Sequence, residues 1–422
     1  MKYQKITLKN GLRIILAPMQ DTDTATVLVM TGVGSRYETR KENGLAHFLE
    51  HMFFKGTTKR PTALDISKEL DGLGAEYNAF TGEEYTGYYA KVASKHWRTA
   101  LDVVSDLFLN AKMEQEEIDR ERGAIIQELS MYEDMPMRRV QEFFKTLLYG
   151  DTPLGWDIGG PKSNIKLFQR KDFVKFLERA YVAPNIVVGV AGKIDPKAVK
   201  KEIEKIFKDV RVGKKPVAKK AIDKQSTPQV FLQNKKVDQT QLVVGVRAFD
   251  MFHKDKAVLS VLTTILGGGM SSRMFVEVRE RRGLAYSIRT SVDLFLDAGY
   301  IATQAGVEHG NLEKALEVIL DEYKKITQEL VGQDELKKAK ESIKGRTALG
   351  LEGSDDVVEY LVGQEVLQNK IILPKDKLKA IDKVTAVDVQ RVAKMIFTEK
   401  RLNVAVISPN AKKAKLEKLL HF

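Results

Sequence analysis

The chain has no cysteine among its 422 residues. This removes disulfides, thiolate metal ligands and a cysteine nucleophile, and it suits a reducing compartment. Histidine is scarce too, with six in the whole chain, so a site built from imidazoles can draw on very few positions. No run of 18 apolar residues occurs, and no membrane span is expected. Met1-Lys2-Tyr3-Gln4-Lys5-Ile6 holds no apolar stretch of the secretory kind and reads directly into a strand; a cytoplasmic location is expected. Zinc-finger spacing, an aromatic RNA-binding motif and a basic region joined to a zipper are all missing. The net charge of +12 therefore reads as a lysine-rich solvated surface, densest at Lys214, Lys215, Lys219, Lys220 and Lys224, and no specific nucleic-acid partner is expected.

What is present describes a globular chain: 43% hydrophobic and 30% charged residues give ample core material for two or more domains. Ile6 and Leu8 alternate on one arm of a hairpin, Leu12, Ile14 and Leu16 on the other, with Asn10-Gly11 as the turn. Thr26 to Met30 reads as a strand, and Tyr77 to Val92 as strand–turn–strand around Thr81-Gly82-Glu83. Ala63, Ile66, Leu70 and Leu73 keep helical spacing behind Thr62 as cap. Longer helices are expected from Trp97 to Phe108 and from Glu114 to Met131.

Two segments read alike. Asp172 to Leu177 followed by Asn185 to Val190 matches Asp388 to Ala393 followed by Leu402 to Ile407: a helix starting near an Asp, then an Asn-containing strand. This implies a repeat of about 200 residues. The basic stretch 208–228, with Pro216 and Pro228 and no hydrophobic periodicity, reads as the linker between domains 1–207 and 229–422. Hairpins mean antiparallel pairing, so the expected class is α+β.

The richest stretch is His47-Phe48-Leu49-Glu50-His51. Two histidines four apart on a helix share a face, where both imidazoles can reach one metal ion, with Glu50 beside them as a proton acceptor. The order H-x-x-E-H reverses the H-E-x-x-H signature of zinc proteases. With six histidines and 57 acids in 422 residues, chance produces such a pattern in roughly 1% of chains of this composition. A catalytic zinc takes three protein ligands, so a third must come from elsewhere. Glu121 and Glu128 lie seven apart on the expected 114–131 helix and share a face flanked by Ile125, Ile126 and Leu129. One could ligate while the other holds a ligand imidazole; spacing alone does not say which.

Gly34-Ser35-Arg36, Glu38, Asn43-Gly44-Leu45-Ala46 running into the His47 motif, and Lys55-Gly56-Thr57 after it together resemble the M16 metallopeptidases, over essentially the whole chain. The resemblance implies that the third ligand is a Glu with 76 residues between it and the second histidine, which is Glu128, and that Glu121 is the acid behind the ligand. Zinc, one ion per chain, is the implied cofactor, and Glu50 the general base. Asn78, Ala79 and Phe80 resemble the edge strand on which relatives seat peptide substrates. Gly267-Gly268-Gly269-Met270-Ser271-Ser272-Arg273 resembles the family's glycine-rich segment, and it lacks the Gly-Lys-Ser/Thr of a phosphate loop. Arg279 and Tyr286 resemble the pair that contacts substrate, with Tyr286 on the carbonyl under attack. Thr152 stands where relatives often have His. The implied architecture is two homologous domains forming half of a clamshell, closed by a second subunit in a homodimer. A catalytic subunit of a heterodimer with a metal-free partner, or a non-catalytic structural homologue, are the alternatives.

Overall fold

The computed structural model describes residues 1–422. Two sheets organise the chain. The first holds β1 (Gln4–Thr7), β2 (Arg13–Pro18), β3 (Thr24–Thr31), β4 (Glu76–Thr81), β5 (Thr86–Ala93) and β6 (Ile186–Gly192), in the spatial order β1-β2-β6-β3-β5-β4. The second holds β7 (Gln229–Asn234), β8 (Thr240–Ala248), β9 (Ala285–Leu294), β10 (Gly299–Val307) and β11 (Asn403–Ser408), in the order β7-β11-β8-β10-β9. Only β2 with β6 and β7 with β11 pair in parallel. The expected α+β architecture of two mostly antiparallel sheets packed with helices is therefore what the chain adopts.

The repeat has a physical basis. Asp172 and Asp388 each occupy the third position of a helix, Arg170–Ala180 and Ala386–Ile396, and each accepts a backbone N–H from the residue before the helix, Gln169 or Thr385. Both helices lead into the strand at the same place in their sheet, β6 or β11, each paired parallel on one side and antiparallel on the other. The helix over Ala63–Asp71 has the expected Thr62 cap, closed into a capping box by Asp65.

Central strands are buried on both faces, which is why β6 reads as an unbroken small and apolar run, Ile-Val-Val-Gly-Val-Ala-Gly. One face of the first sheet packs on a core that includes helices Leu45–Met52, Trp97–Asn110 and Pro196–Phe207. The other face carries Ile15, Leu28, Met30 and Val187, covered by Val357, Val358, Leu361 and Val362. Those four come from the helix Ser354–Gln368, far along the chain. Gly189 makes the close approach possible: a Cβ there would stand 2.3 Å from the Val362 side chain. The second sheet is covered in the same way by Val140, Phe144 and Leu148 of the helix Pro136–Tyr149.

The compact units are therefore not the contiguous stretches 1–207 and 229–422. One unit comprises Met1–Leu129, Asp157–Lys219 and Ala348–Leu373; the other comprises Ser130–Trp156, Lys220–Thr347 and Pro374–Phe422. Each half lends the other one helix, and the chain passes between units at Lys219–Lys220, inside the expected linker. No helix is long and apolar enough to cross a membrane.

Candidate metal centre

The helix Leu45–Met52 divides its faces cleanly. Leu45, Ala46, Phe48, Leu49 and Met52 are buried in the core, which leaves His47, Glu50 and His51 on the half-exposed side. Asn43, just ahead of this helix, does not cap it. Gly44 occupies the cap position with φ of +100°, a conformation that favours glycine, and no side chain at the cap bonds the first turn. Glu38 takes over that task. Its buried carboxylate accepts the N–H groups of Gly44 (3.0 Å) and Ala46 (2.6 Å) and the Asn43 amide (3.2 Å). Burial pushes Glu38 up to about 8, against these donors. They fix its position at the positive end of the helix, directly before His47. The sequence signal was available, an acid shortly before a glycine that opens a helix, but nothing in the spacing says that it is buried.

Glu121 and Glu128 project from the helix Gln115–Glu133, whose Ile118, Ile125 and Leu129 are buried. The two acids have different partners. Glu121 Oε1 lies 2.9 Å from His51 Nδ1, and its other oxygen lies 2.5 Å from Lys55 Nζ. Glu128 Oε2 lies 3.4 Å from His51 Nε2 and 3.7 Å from His47 Nε2. The donor atoms of His47, His51 and Glu128 all fall within 4.8 Å of one another. A tetrahedral zinc with bonds of about 2.0–2.1 Å has ligand-to-ligand edges of roughly 3.3 Å, so the donor set fits this ion with small adjustment.

Electrostatics follows from the same contacts. Burial opposes a charge on His51, but hydrogen bonds to Glu121 and Glu128 outweigh it and raise the imidazole to about 9. Burial would raise Glu121, yet His51 and Lys55 hold it below the usual carboxylate range. Glu50 is raised by burial, opposed by the neighbouring Thr81 hydroxyl and by the charge of His51. A raised carboxyl is a stronger base once ionised, which is what proton abstraction needs.

Thr81 ends β4, the outermost strand of the first sheet, so Glu50 sits at the end of an open sheet edge. Asn78, Ala79 and Phe80 lie on that edge strand. The turn beyond it is braced from inside: Arg36, almost fully buried, meets Glu84 at 2.5 Å, and the N–H groups of Ser35 and Arg36 donate to Gly82 and Glu83.

Residues 13–162 match the family model for insulinase, peptidase family M16, and residues 168–343 match that for the peptidase M16 inactive domain. An uncharacterized zinc protease of Streptomyces coelicolor is 34% identical over 412 residues, covering 96% of this chain and 89% of that one. The chain belongs to peptidase family M16. The uncharacterized zinc protease YmxG of Bacillus subtilis is 32% identical, with 96% of this M16 chain and 98% of that one covered. Among solved structures, a protease from Helicobacter pylori shares the fold at a TM-score of 0.90 and 24% identity, covering 97% of this chain and 99% of that one.

The remaining expected site residues belong to the second unit. Tyr286 is exposed near the start of β9, an edge strand, and Arg279 sits on a π-helical turn over Phe275–Glu280. The fold brings this pair together: the Arg279 guanidinium lies 4.7 Å from the Phe275 ring centre and 5.0 Å from that of Tyr286. In the glycine-rich segment, Gly267 is required by close approach, since a Cβ there would meet the Thr290 backbone at 2.3 Å. Thr152 is buried and donates to the Tyr149 carbonyl, a local structural role.

Proposed function

We propose that this M16 chain is a zinc-dependent endopeptidase that cleaves peptides or unfolded segments laid along the open edge of β4. The observation that carries the reading is the convergence of His47, His51 and Glu128 donor atoms at near-tetrahedral separations, with Glu50 on the same helix face. One zinc ion per chain would supply Lewis acidity and render a nearby water acidic enough to attack at neutral pH.

The chain's own groups then have defined work. Glu121 accepts the Nδ1 proton of His51, which leaves the Nε2 lone pair pointing toward Glu128 and the ion. Glu50 takes the proton from the attacking water and returns it to the leaving amine. Backbone groups of Asn78, Ala79 and Phe80 pair with the substrate main chain as an added strand, which tolerates varied side chains. On the family resemblance, Tyr286 donates to the carbonyl oxygen under attack and Arg279 holds substrate backbone or a carboxylate.

The active particle is proposed to be a homodimeric chamber. A heterodimer with a metal-free partner predicts instead that the purified chain binds zinc yet is inactive alone. A non-catalytic homologue predicts no chelator-sensitive cleavage at all; retention of the complete donor set argues against it. The test is quenched-peptide hydrolysis with zinc quantified by mass spectrometry, alongside light scattering for the assembly. Glu50→Gln should retain zinc and lose activity; turnover at the wild-type rate in that variant overturns the assignment.

A further inference from the structure

The open edge of β4 has two faces, and only one of them leads to the metal centre. Tyr77 and Ala79 pack with the core that contains the Leu45–Met52 helix, whereas Phe80 packs with the layer beneath the Ser354–Gln368 helix. On that second face, beside the first turns of the Ser354 helix, lies a cavity of about 220 Å³. Asn78, Phe80 and Tyr89 form its sheet side, and Asp355, Asp356 and Glu359 form its helix side. This volume is below the roughly 300–1,000 Å³ of small-molecule sites, so it suits one side chain rather than a cofactor.

Its charge is unbalanced. Lys91 lies 3.1 Å from Asp355 and is shared with Glu76 at 3.6 Å. Asp356 and Glu359 add further negative charge: burial and the charges of Asp356 and Asp355 raise the Glu359 carboxyl. The helix start that presents the acids is anchored: the buried Ser354 hydroxyl bonds those of Thr24 (2.9 Å) and Thr26 (2.8 Å). Phe80 and Tyr89, with ring centres 6.5 Å apart, offer apolar walls for an aliphatic stem.

A peptide added beside β4 continues its pleat, so alternate side chains project over this cavity. Thr81, whose hydroxyl lies close enough to Glu50 to lower its carboxyl, follows Phe80 directly. At about 3.3 Å per residue, a side chain above Phe80 or Asn78 lies within roughly 3–10 Å, along the strand, of the point where Glu50 acts. We propose that this cavity is a specificity pocket for a lysine or arginine side chain of the substrate, set within about three residues of the cleaved bond. The ammonium or guanidinium is held by Asp356 and Glu359, and the stem rests on Phe80 and Tyr89. The pocket would select cation-bearing peptides from those that the unselective main-chain edge accepts.

The inference rests on the peptidase reading but is tested without turnover. Fluorescent peptides carrying a single lysine, scanned through an otherwise neutral sequence, are titrated against the zinc-loaded Glu50→Gln protein and compared with norleucine at the same position. One lysine position should bind about tenfold tighter. In the background that also carries Asp356→Asn and Glu359→Gln, the ratio should fall to about one. With Glu359→Lys, the preference should pass to a glutamate at that position, an outcome that misfolding cannot produce. Equal affinity for lysine and norleucine at every position, or a preference that survives the double substitution, overturns the pocket. If the lysine preference holds while wild-type protein cleaves none of the peptides, the peptidase reading fails and the pocket stands.

Discussion

The two units share a sheet topology and differ in what the topology is used for. In the first, the strand β3 is followed by a helix that turns His47, Glu50 and His51 away from the core. In the second, the corresponding strand β8 is followed by the helix Lys256–Gly267, in which Val258, Leu259, Val261, Leu262, Ile265 and Leu266 are all buried and no histidine or acid occurs. The later long helices differ likewise. Gln115–Glu133 presents Glu121 and Glu128 to imidazoles, whereas on Gln333–Leu349 Glu335 is held by Arg273 at 2.8 Å. The same scaffold is stable with a metal-binding helix face or with an apolar one. The metal site is therefore an addition to a fold that does not need it, and the units should respond to substitution in different ways.

The largest contrast should come from chemistry. Glu50→Gln should lower kcat by about 10²–10⁴-fold with zinc content unchanged, measured by peptide hydrolysis and metal analysis. Equal losses on neutralising an acid of the second unit such as Glu335 would erase the distinction.

Next in size are buried charges. Arg13, 7% exposed in its side chain, pairs with the fully buried Glu365 of the lent helix at 3.0 Å. Glu365 keeps Lys5 at 2.7 Å, so Arg13→Ala should cost about 1.5–3 kcal/mol in denaturant unfolding, the loss of a buried hydrogen bond to a charged group. In the second unit Arg391 grips Asp255 at 2.8 Å but is 47% exposed. Its alanine variant should cost about 1 kcal/mol or less.

Removing Glu121 probes how the ligand is held. Glu121→Ala should weaken zinc binding by roughly 10–100-fold, read by competition with a chromogenic chelator.

The smallest effect is one of pH. His51 is raised to about 9 in the metal-free protein, above its ordinary 6.5. Its stabilising contribution is therefore fully present below pH 6.5 and lost as pH rises through about 9. The melting temperature of chelated protein should drift down across that window. Zinc-loaded protein, in which the ion replaces the proton, should lack this drift.

The sequence exposed these features unevenly. The His47–His51 face was legible because helical spacing is local, and so were the Thr62 cap and the Asp172/Asp388 echo. Glu128 could be separated from Glu121 only through family resemblance, since a shared helix face does not say which acid meets which imidazole. Glu38 carried no visible role because its burial depends on the tertiary fold. The exchange of helices Pro136–Tyr149 and Ser354–Gln368 was hidden for a related reason. Their apolar faces announce that something covers a sheet, and local patterning is silent on which sheet. The domain limits 1–207 and 229–422 followed chain order, while the compact units follow long-range packing that the spacing of Val357, Val358, Leu361 and Val362 cannot reveal.

The central claim is that one ion is held by residues from two helices of the first unit. Anomalous diffraction at the zinc edge from crystals of the zinc-loaded protein tests it directly. The account predicts a single strong peak per chain, about 2.0–2.2 Å from His47 Nε2, His51 Nε2 and a Glu128 oxygen. A chain that takes up no zinc, or a peak that excludes Glu128 from coordination, would contradict it.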